Sequence, residues 1–149
     1  MLKRWIVLLL LVALAPAAQA FSLTDSKGKV HRLADYKGKW VLVNFWATWC
    51  PPCLEEIPDL IALHENKKNK LVVIGVAMDY QDSKYVLQFA DQQMISYPVV
   101  LGDYKMAAQI GAIRGLPTSY LYNPQGKIVA YTVGSLSRAA VEDYIAAKK

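Results

Sequence analysis

The sequence predicts an α/β domain with a mixed central sheet and helices on both faces. Three observations carry that prediction. Trp40 to Trp46 and Leu71 to Met78 are almost wholly apolar and β-rich, as strands buried on both faces are. The stretches that follow them show helical spacing, so the early strands are joined by crossovers and run parallel. Near the end, Asn123-Pro124-Gln125-Gly126 is a turn signal between two short β-rich runs, which predicts an antiparallel pair.

In order, Val30 to Leu33 reads as a short extended segment, and Tyr36-Lys37-Gly38-Lys39 as a turn into the strand at Trp40. From Pro51 to about Asn66 the chain reads as a helix, with Leu54, Ile57, Ile61 and either His64 or Leu60 near helical spacing. Pro58 lies inside it, where a missing N–H predicts a kink. Asp82 to Gln93 begins on a capping residue and repeats apolar side chains at Val86, Phe89 and Ala90. Pro98 to Leu101 is a short strand, and Asp103 to Ile110 a short helix. Thr118 to Tyr122 and Ile128 to Val133 are the hairpin strands. Ser137 to Ala147 closes the chain as a helix with Ser137 as N-cap.

A chain of 149 residues suits one domain with a genuine core. Lys3 and Arg4 supply two of the five net positive charges, leaving +3 from Phe21 onward. The remaining lysines are scattered, with no clustered basic face and no aromatic–basic interleaving, so nucleic acid is not an expected partner. Lys3 and Arg4 precede an unbroken apolar run from Trp5 to Ala15. Pro16 ends the run, and Ala18-Gln19-Ala20 fits the small-x-small cleavage rule. Residues 1–20 are therefore expected to be a signal peptide, with the domain at 21–149 in the periplasm. The alternative is an uncleaved N-terminal anchor facing the same compartment. Eleven apolar residues reach only about 16 Å as a helix, against roughly 30 Å of bilayer core.

Export gives the two cysteines their meaning. Cys50 and Cys53 are the only ones and stand three positions apart. A bridge between them closes almost no loop, so it is a poor staple. Cys-x-x-Cys alone is also half of many zinc sites. The remaining ligands would have to be His31 and His64, which follow no ligand spacing; both are expected at surface or partly buried positions. Position favours redox chemistry. The strand ends at Trp46, Ala47-Thr48-Trp49 links it to Cys50, and Cys50 opens a helix. Unsatisfied N–H groups and the helix dipole there stabilise a thiolate. Cys50 is then the attacking thiol and Cys53, one turn inward, the resolving thiol. Pro51 suits the first helical turn. A peroxidatic setting, Pro-x-x-x-Thr-x-x-Cys, is not met, since position 43 is Val.

The run Val-Asn-Phe-Trp-Ala-Thr-Trp-Cys-Pro-Pro-Cys-Leu-Glu-Glu-Ile-Pro, residues 43 to 58, resembles the active-site block of the TlpA-like family. These are extracytoplasmic thioredoxin-fold oxidoreductases that include the cytochrome c maturation reductases. The resemblance continues through Gly115-Leu116-Pro117-Thr118-Ser119-Tyr120 and Asn123 to Ile128, covering the chain from Phe21 onward. It implies a thioredoxin fold, with the family's central insertion from Asp79 to about Val100. It also implies a cis proline at Pro117, placed against the cysteines, with the backbone of Leu116 free to pair with an extended client. Trp49 is expected to shape the contact surface and Trp46 to pack in the core. Thioredoxin carries an Asp where this chain has Asn44, which cannot take a proton from Cys53. Glu56 matches the family's Cys-x-x-Cys-x-x-Glu-x-Pro pattern and lies on roughly the face of Cys53. A partly buried carboxylate there would tune or shuttle the Cys53 proton.

The expected function is thiol:disulfide exchange, with reduction of disulfides in exported proteins, such as the haem-attachment cysteines of apocytochrome c. Electrons would come from a membrane thiol donor. No cofactor and no metal are expected, and the chain is expected to be a monomer. Two alternatives stay open. One is an oxidase or isomerase of the same fold, against which Pro51-Pro52 argues weakly, since neither offers a positive side chain to the thiolate. The other is a binding protein that holds a metal or a client without turnover.

Overall fold

The computed structural model describes residues 20–148. The expected signal segment lies outside them, save for Ala20. Five strands form the main sheet in the order β5-β4-β3-β6-β7. Central β3 (Trp40–Trp46) is flanked by parallel β4 (Leu71–Ala77), with parallel β5 (Val99–Leu101) beyond it. On its other side lie antiparallel β6 (Thr118–Tyr122) and β7 (Ile128–Val133). Helices α1 (Pro51–Glu65), α2 (Ser83–Gln92), α3 (Tyr104–Ala107) and α4 (Arg138–Ala146) complete the layers. The expected mixed sheet is observed. Among the described residues, no helix is long and apolar enough to cross a membrane.

All seven residues of β3 are buried, as its unbroken apolar run required. Alternation along the strand sends Val41, Val43 and Phe45 to one face, where they meet Ile74, Val76, Tyr120 and Tyr122. Trp40 and Leu42 point to the other, against Leu60 and Leu63 of α1 and Val141 and Ile145 of α4. Asn44 shares that second face and is the single polar residue of the strand. Trp46 continues it toward both cysteines, Val86 and Ala90 of α2, and Ala77.

Four expectations are corrected. A strand precedes those read from the sequence: β1 (Ser22–Thr24) pairs antiparallel with β2 (Val30–Arg32) in a separate two-stranded sheet. It is three residues long and gives periodicity too little to act on, yet Phe21 and Leu23 are buried in the core. The short helix expected to Ile110 ends at Ala107. His31, expected at or near the surface, is 1 % exposed. Burial is tolerated because both ring nitrogens have partners, Nε2 with Asp25 at 2.8 Å and Nδ1 with the Tyr36 hydroxyl. Finally, Glu56 is more deeply buried than the partial burial expected of it, at 2 % exposure.

His64 is half-buried, and its Nδ1 accepts from the Val73 N–H at 3.2 Å, beyond the reach of short β5. The expected caps form. Asp82 accepts from the Lys84 N–H and Ser137 from the Ala140 N–H. Helix α1 continues through Pro58 to Glu65, although that proline has no N–H to give.

Candidate active site

Cys50 is the N-cap of α1, directly after the turn that leaves β3, with Pro51 and Pro52 in the first helical turn. The fully buried strand and the helix packed on it fix this junction from both sides. Cys50 and Cys53 form a closed disulfide with Cα atoms 5.3 Å apart. Cys50 keeps 3 % exposure and Cys53 none. Beside them Trp49 is 60 % exposed, while Trp46 is buried. Trp46 packs in the core, as the sequence analysis expected.

The Leu116–Pro117 peptide is cis. Leu116 packs against the cluster that holds both cysteines. Its N–H and C=O make no backbone hydrogen bond to another described residue, whereas the Pro117 carbonyl accepts from the Gly134 N–H at 2.8 Å. Leu116 is thus packed against the cysteine-bearing cluster from a segment more than 60 positions away, with Pro117 next to it in the chain.

One turn beyond Cys53, Glu56 reaches Asn44 of the central strand. Its Oε1 accepts from Asn44 Nδ2 at 2.6 Å and its Oε2 from the Leu136 N–H at 2.8 Å. Asn44 Nδ2 also donates to Ser119 Oγ at 3.0 Å. Burial pushes the Glu56 carboxyl above the usual range, and the hydrogen bonds from Leu136 and Asn44 only partly offset that. The β7–α4 loop also reaches the cysteine loop, where Ser135 Oγ donates to the Pro52 carbonyl at 3.1 Å.

Of the six residues singled out by sequence, Trp49, Cys50, Cys53 and Glu56 lie at the start of α1 and Leu116 packs against the cluster that holds the disulfide, with Pro117 beside it in the chain. Sequence reasoning missed Ser119, Leu136 and Asp79, whose carbonyl accepts from Trp49 Nε1 at 3.2 Å. Asn44 was noted for what it cannot do; its actual place is as the donor to Glu56. A polar residue inside an apolar strand was the one available signal of that. Among the described residues, no three His, Cys, Asp or Glu side chains stand together as metal ligands do.

Residues 14–131 match the model of the AhpC/TSA family. The chain belongs to that family. Within AhpC/TSA it is similar to thiol-disulfide oxidoreductase ResA of Bacillus subtilis, at 36 % identity over 86 % of this chain and 72 % of the relative. ResA of Geobacillus kaustophilus is 33 % identical, over 90 % of this chain and 77 % of the relative. Among solved structures, a thiol:disulfide interchange protein of the thioredoxin family from Chlorobium tepidum superposes with a TM-score of 0.76 at 31 % identity. It covers 86 % of this chain and 92 % of its own. The exposed lipoprotein thioredoxin Etrx1 of Streptococcus pneumoniae gives 0.74 at 28 %, over 86 % and 98 %. The fold is thioredoxin-like, and this AhpC/TSA protein is a ResA-like thiol-disulfide oxidoreductase whose active-site disulfide is the Cys-x-x-Cys pair.

Proposed function

We propose that the protein is a reductase of disulfides in exported proteins, with Cys50 as nucleophile, Cys53 as resolving thiol and Glu56 as proton acceptor. The observation that carries this reading is the buried Glu56 carboxyl, held by Asn44 and Leu136 one turn from Cys53. In the reduced protein the Cys50 thiolate, at the N-cap of α1, attacks one sulfur of the client disulfide. A mixed disulfide forms and the client's other sulfur leaves as a thiolate. Cys53 loses its proton to Glu56 and attacks Cys50 Sγ. The Cys50–Cys53 disulfide closes, the second client sulfur leaves, and two electrons have passed to the client.

Three features support the client side. The unpaired backbone of Leu116 suits strand addition by an extended peptide. Trp49 offers a large amphipathic surface beside Cys50. The apolar N-terminal run with its Ala-x-Ala site supports export of the domain to the periplasm. The TlpA-like resemblance and the ResA relatives favour the haem-attachment cysteines of an apocytochrome c as client, and a membrane thiol as the donor that re-reduces the pair.

Equilibration of the Cys50–Cys53 couple with thiol buffers tests the direction. A reduction potential near or below thioredoxin's, about −270 mV, is expected of a reductase. A value toward about −120 mV reverses the assignment, since the protein would then insert disulfides.

A further inference from the structure

On the face of the sheet that carries Glu56, three buried polar atoms have no hydrogen-bond partner among the described residues: Asn44 Oδ1, Trp46 Nε1 and the Tyr97 hydroxyl. Each such group is costly to leave unmet, so a cluster of them asks for a partner. They converge on Gly75. Asn44 of β3 stands opposite Gly75 of β4 in the parallel register, and Trp46 lies two residues further along the same face. Gly75 carries no side chain, so an indole and a phenol come in over it. A Cβ there would lie 3.2 Å from Trp46 Nε1 and 2.7 Å from Tyr97 Cε2, the ring carbon next to the one that bears the hydroxyl. The nitrogen of the Asn44 amide is already engaged, donating to Glu56 Oε1 at 2.6 Å.

Glu56 is 2 % exposed, so a proton it takes from Cys53 needs a way out before the next cycle. Tyr97, 3 % exposed, stands where such a way would run. Burial and the charge on Glu56 together push its hydroxyl well above the usual phenol range, so Glu56 is close enough to be felt there. The same residue lines a cavity of about 470 Å³ that opens to solvent, beside His64, Asp91 and Ser96. His64 packs edge-on against the Tyr97 ring. Its Nδ1 accepts from the Val73 N–H, and burial with the Lys67 charge favours its neutral form, so it is not the acceptor in that cavity.

We propose that Asn44, Trp46 and Tyr97 hold one internal water, and that this water and the Tyr97 hydroxyl carry the Glu56 proton out to the cavity. The inference rests on Glu56 being the acceptor of the Cys53 proton. Three hydrogen bonds are the usual complement of a buried water. The Trp46 indole N–H donates to the water oxygen, and the water's two hydrogens go to Asn44 Oδ1 and the Tyr97 oxygen. Its second lone pair takes the proton from Glu56. The water then passes one hydrogen to the Tyr97 oxygen, and the phenol's own hydrogen leaves to solvent in the cavity. Glu56 is again a carboxylate, water and phenol are neutral as before, and one proton has left the protein. The phenol never ionises. Tyr97 acts through Glu56 and touches neither sulfur, so it is a positioning residue.

The test mixes the reduced full chain with an aromatic disulfide whose thiol is acidic enough to leave as a coloured, unprotonated thiolate. With Cys50 reacting as thiolate, each protein then yields two coloured thiolates, its own disulfide and one proton, that of Cys53. Stopped flow follows the second thiolate, which reports closure of the disulfide, and a pH-indicator dye reports the proton. In the wild type the two signals are expected to coincide. In Tyr97→Phe, which removes one oxygen and keeps the ring, the proton is expected to lag closure by about tenfold, the weight of one hydrogen bond in a barrier. A loosened core slows both signals together and opens no lag. Coincident signals in Tyr97→Phe, at the wild-type rate or slower, overturn the proposal. A second measurement needs no Tyr97 variant: in nitrogen-edited NMR of the full chain, the Trp46 indole N–H is expected to show a cross-peak to a long-lived water, and absence of that peak overturns the proposal as well. Glu56→Gln separates the two readings. Closure at the wild-type rate in that variant, with the Tyr97→Phe lag intact, removes Glu56 as acceptor and leaves the water and Tyr97 as the exit; slowed closure in Glu56→Gln with no lag in Tyr97→Phe does the reverse.

Discussion

Glu56 is pulled in two directions. Both carboxylate oxygens accept hydrogen bonds, which favours the charged form, yet burial favours the neutral one and prevails. A carboxyl whose folded pKa lies above its unfolded value contributes stability that is fully present below the unfolded pKa, about 4.3, and is lost as pH rises through the folded pKa. Glu56→Gln removes that loss. Gln is accommodated because Asn44 Oδ1 has no partner among the described residues and can turn to accept from the new amide. The variant is expected to melt a few degrees above wild type at neutral pH, with the gap closing below about pH 4. Calorimetry across pH checks this. In stopped-flow kinetics its resolving step is expected to slow roughly a hundredfold, the low end for loss of a general base. Asp25 has the opposite sign. Its burial raises the carboxyl, but the hydrogen bonds from His31, Lys29 and Lys27, with the His31 charge, outweigh that and hold it low. Its stabilisation is present above the unfolded pKa, about 3.9, and disappears as pH falls through the folded one. Asp25→Ala is expected to lower the melting temperature at neutral pH by several degrees and by much less in strong acid, in the same scans.

At the scale of elements, the sheet leaves no spare volume near the site. A Cβ at Gly75 of β4 would sit 2.7 Å from Tyr97 Cε2 and 3.2 Å from Trp46 Nε1. Both rings are buried, so neither can swing into solvent. Gly75→Ala is expected to cost about 1–3 kcal/mol, read as a lowered urea midpoint with unchanged m-value. The long buried strands, α1, α2, α4 and the hairpin were legible because their signals are local: apolar period, capping residue and turn chemistry. The β1 strand was not legible, because three residues pair only when β2 and the core below them are in place. His31 was misjudged for the same reason. Its ring is tolerated in the core only when Asp25 and Tyr36 stand at its two nitrogens.

For the molecule as a whole, the two cysteines have unequal places, Cys50 as the helix N-cap with 3 % exposure and Cys53 fully buried one turn further in. With the reduced protein and a disulfide-bonded client, Cys53→Ser is expected to accumulate a mixed disulfide at Cys50, visible as a thiol-sensitive band on a non-reducing gel. Cys50→Ser is expected to trap none. The reverse pattern would make Cys53 the attacking thiol.

The sequence by itself determined the α/β class, the helix that begins at Cys50, and the three-residue spacings that put Cys53 and then Glu56 one turn apart. These follow from the fixed rise and twist of a helix and need no partner. Only the tertiary structure decided what surrounds them. Asn44 lies 12 positions from Glu56, Leu136 lies 80, and Asp79 lies 30 from Trp49. Contacts at such separations exist only once every layer between them has packed, so no periodicity records them. The hydrogen-bonded surroundings of the Glu56 carboxyl are set there.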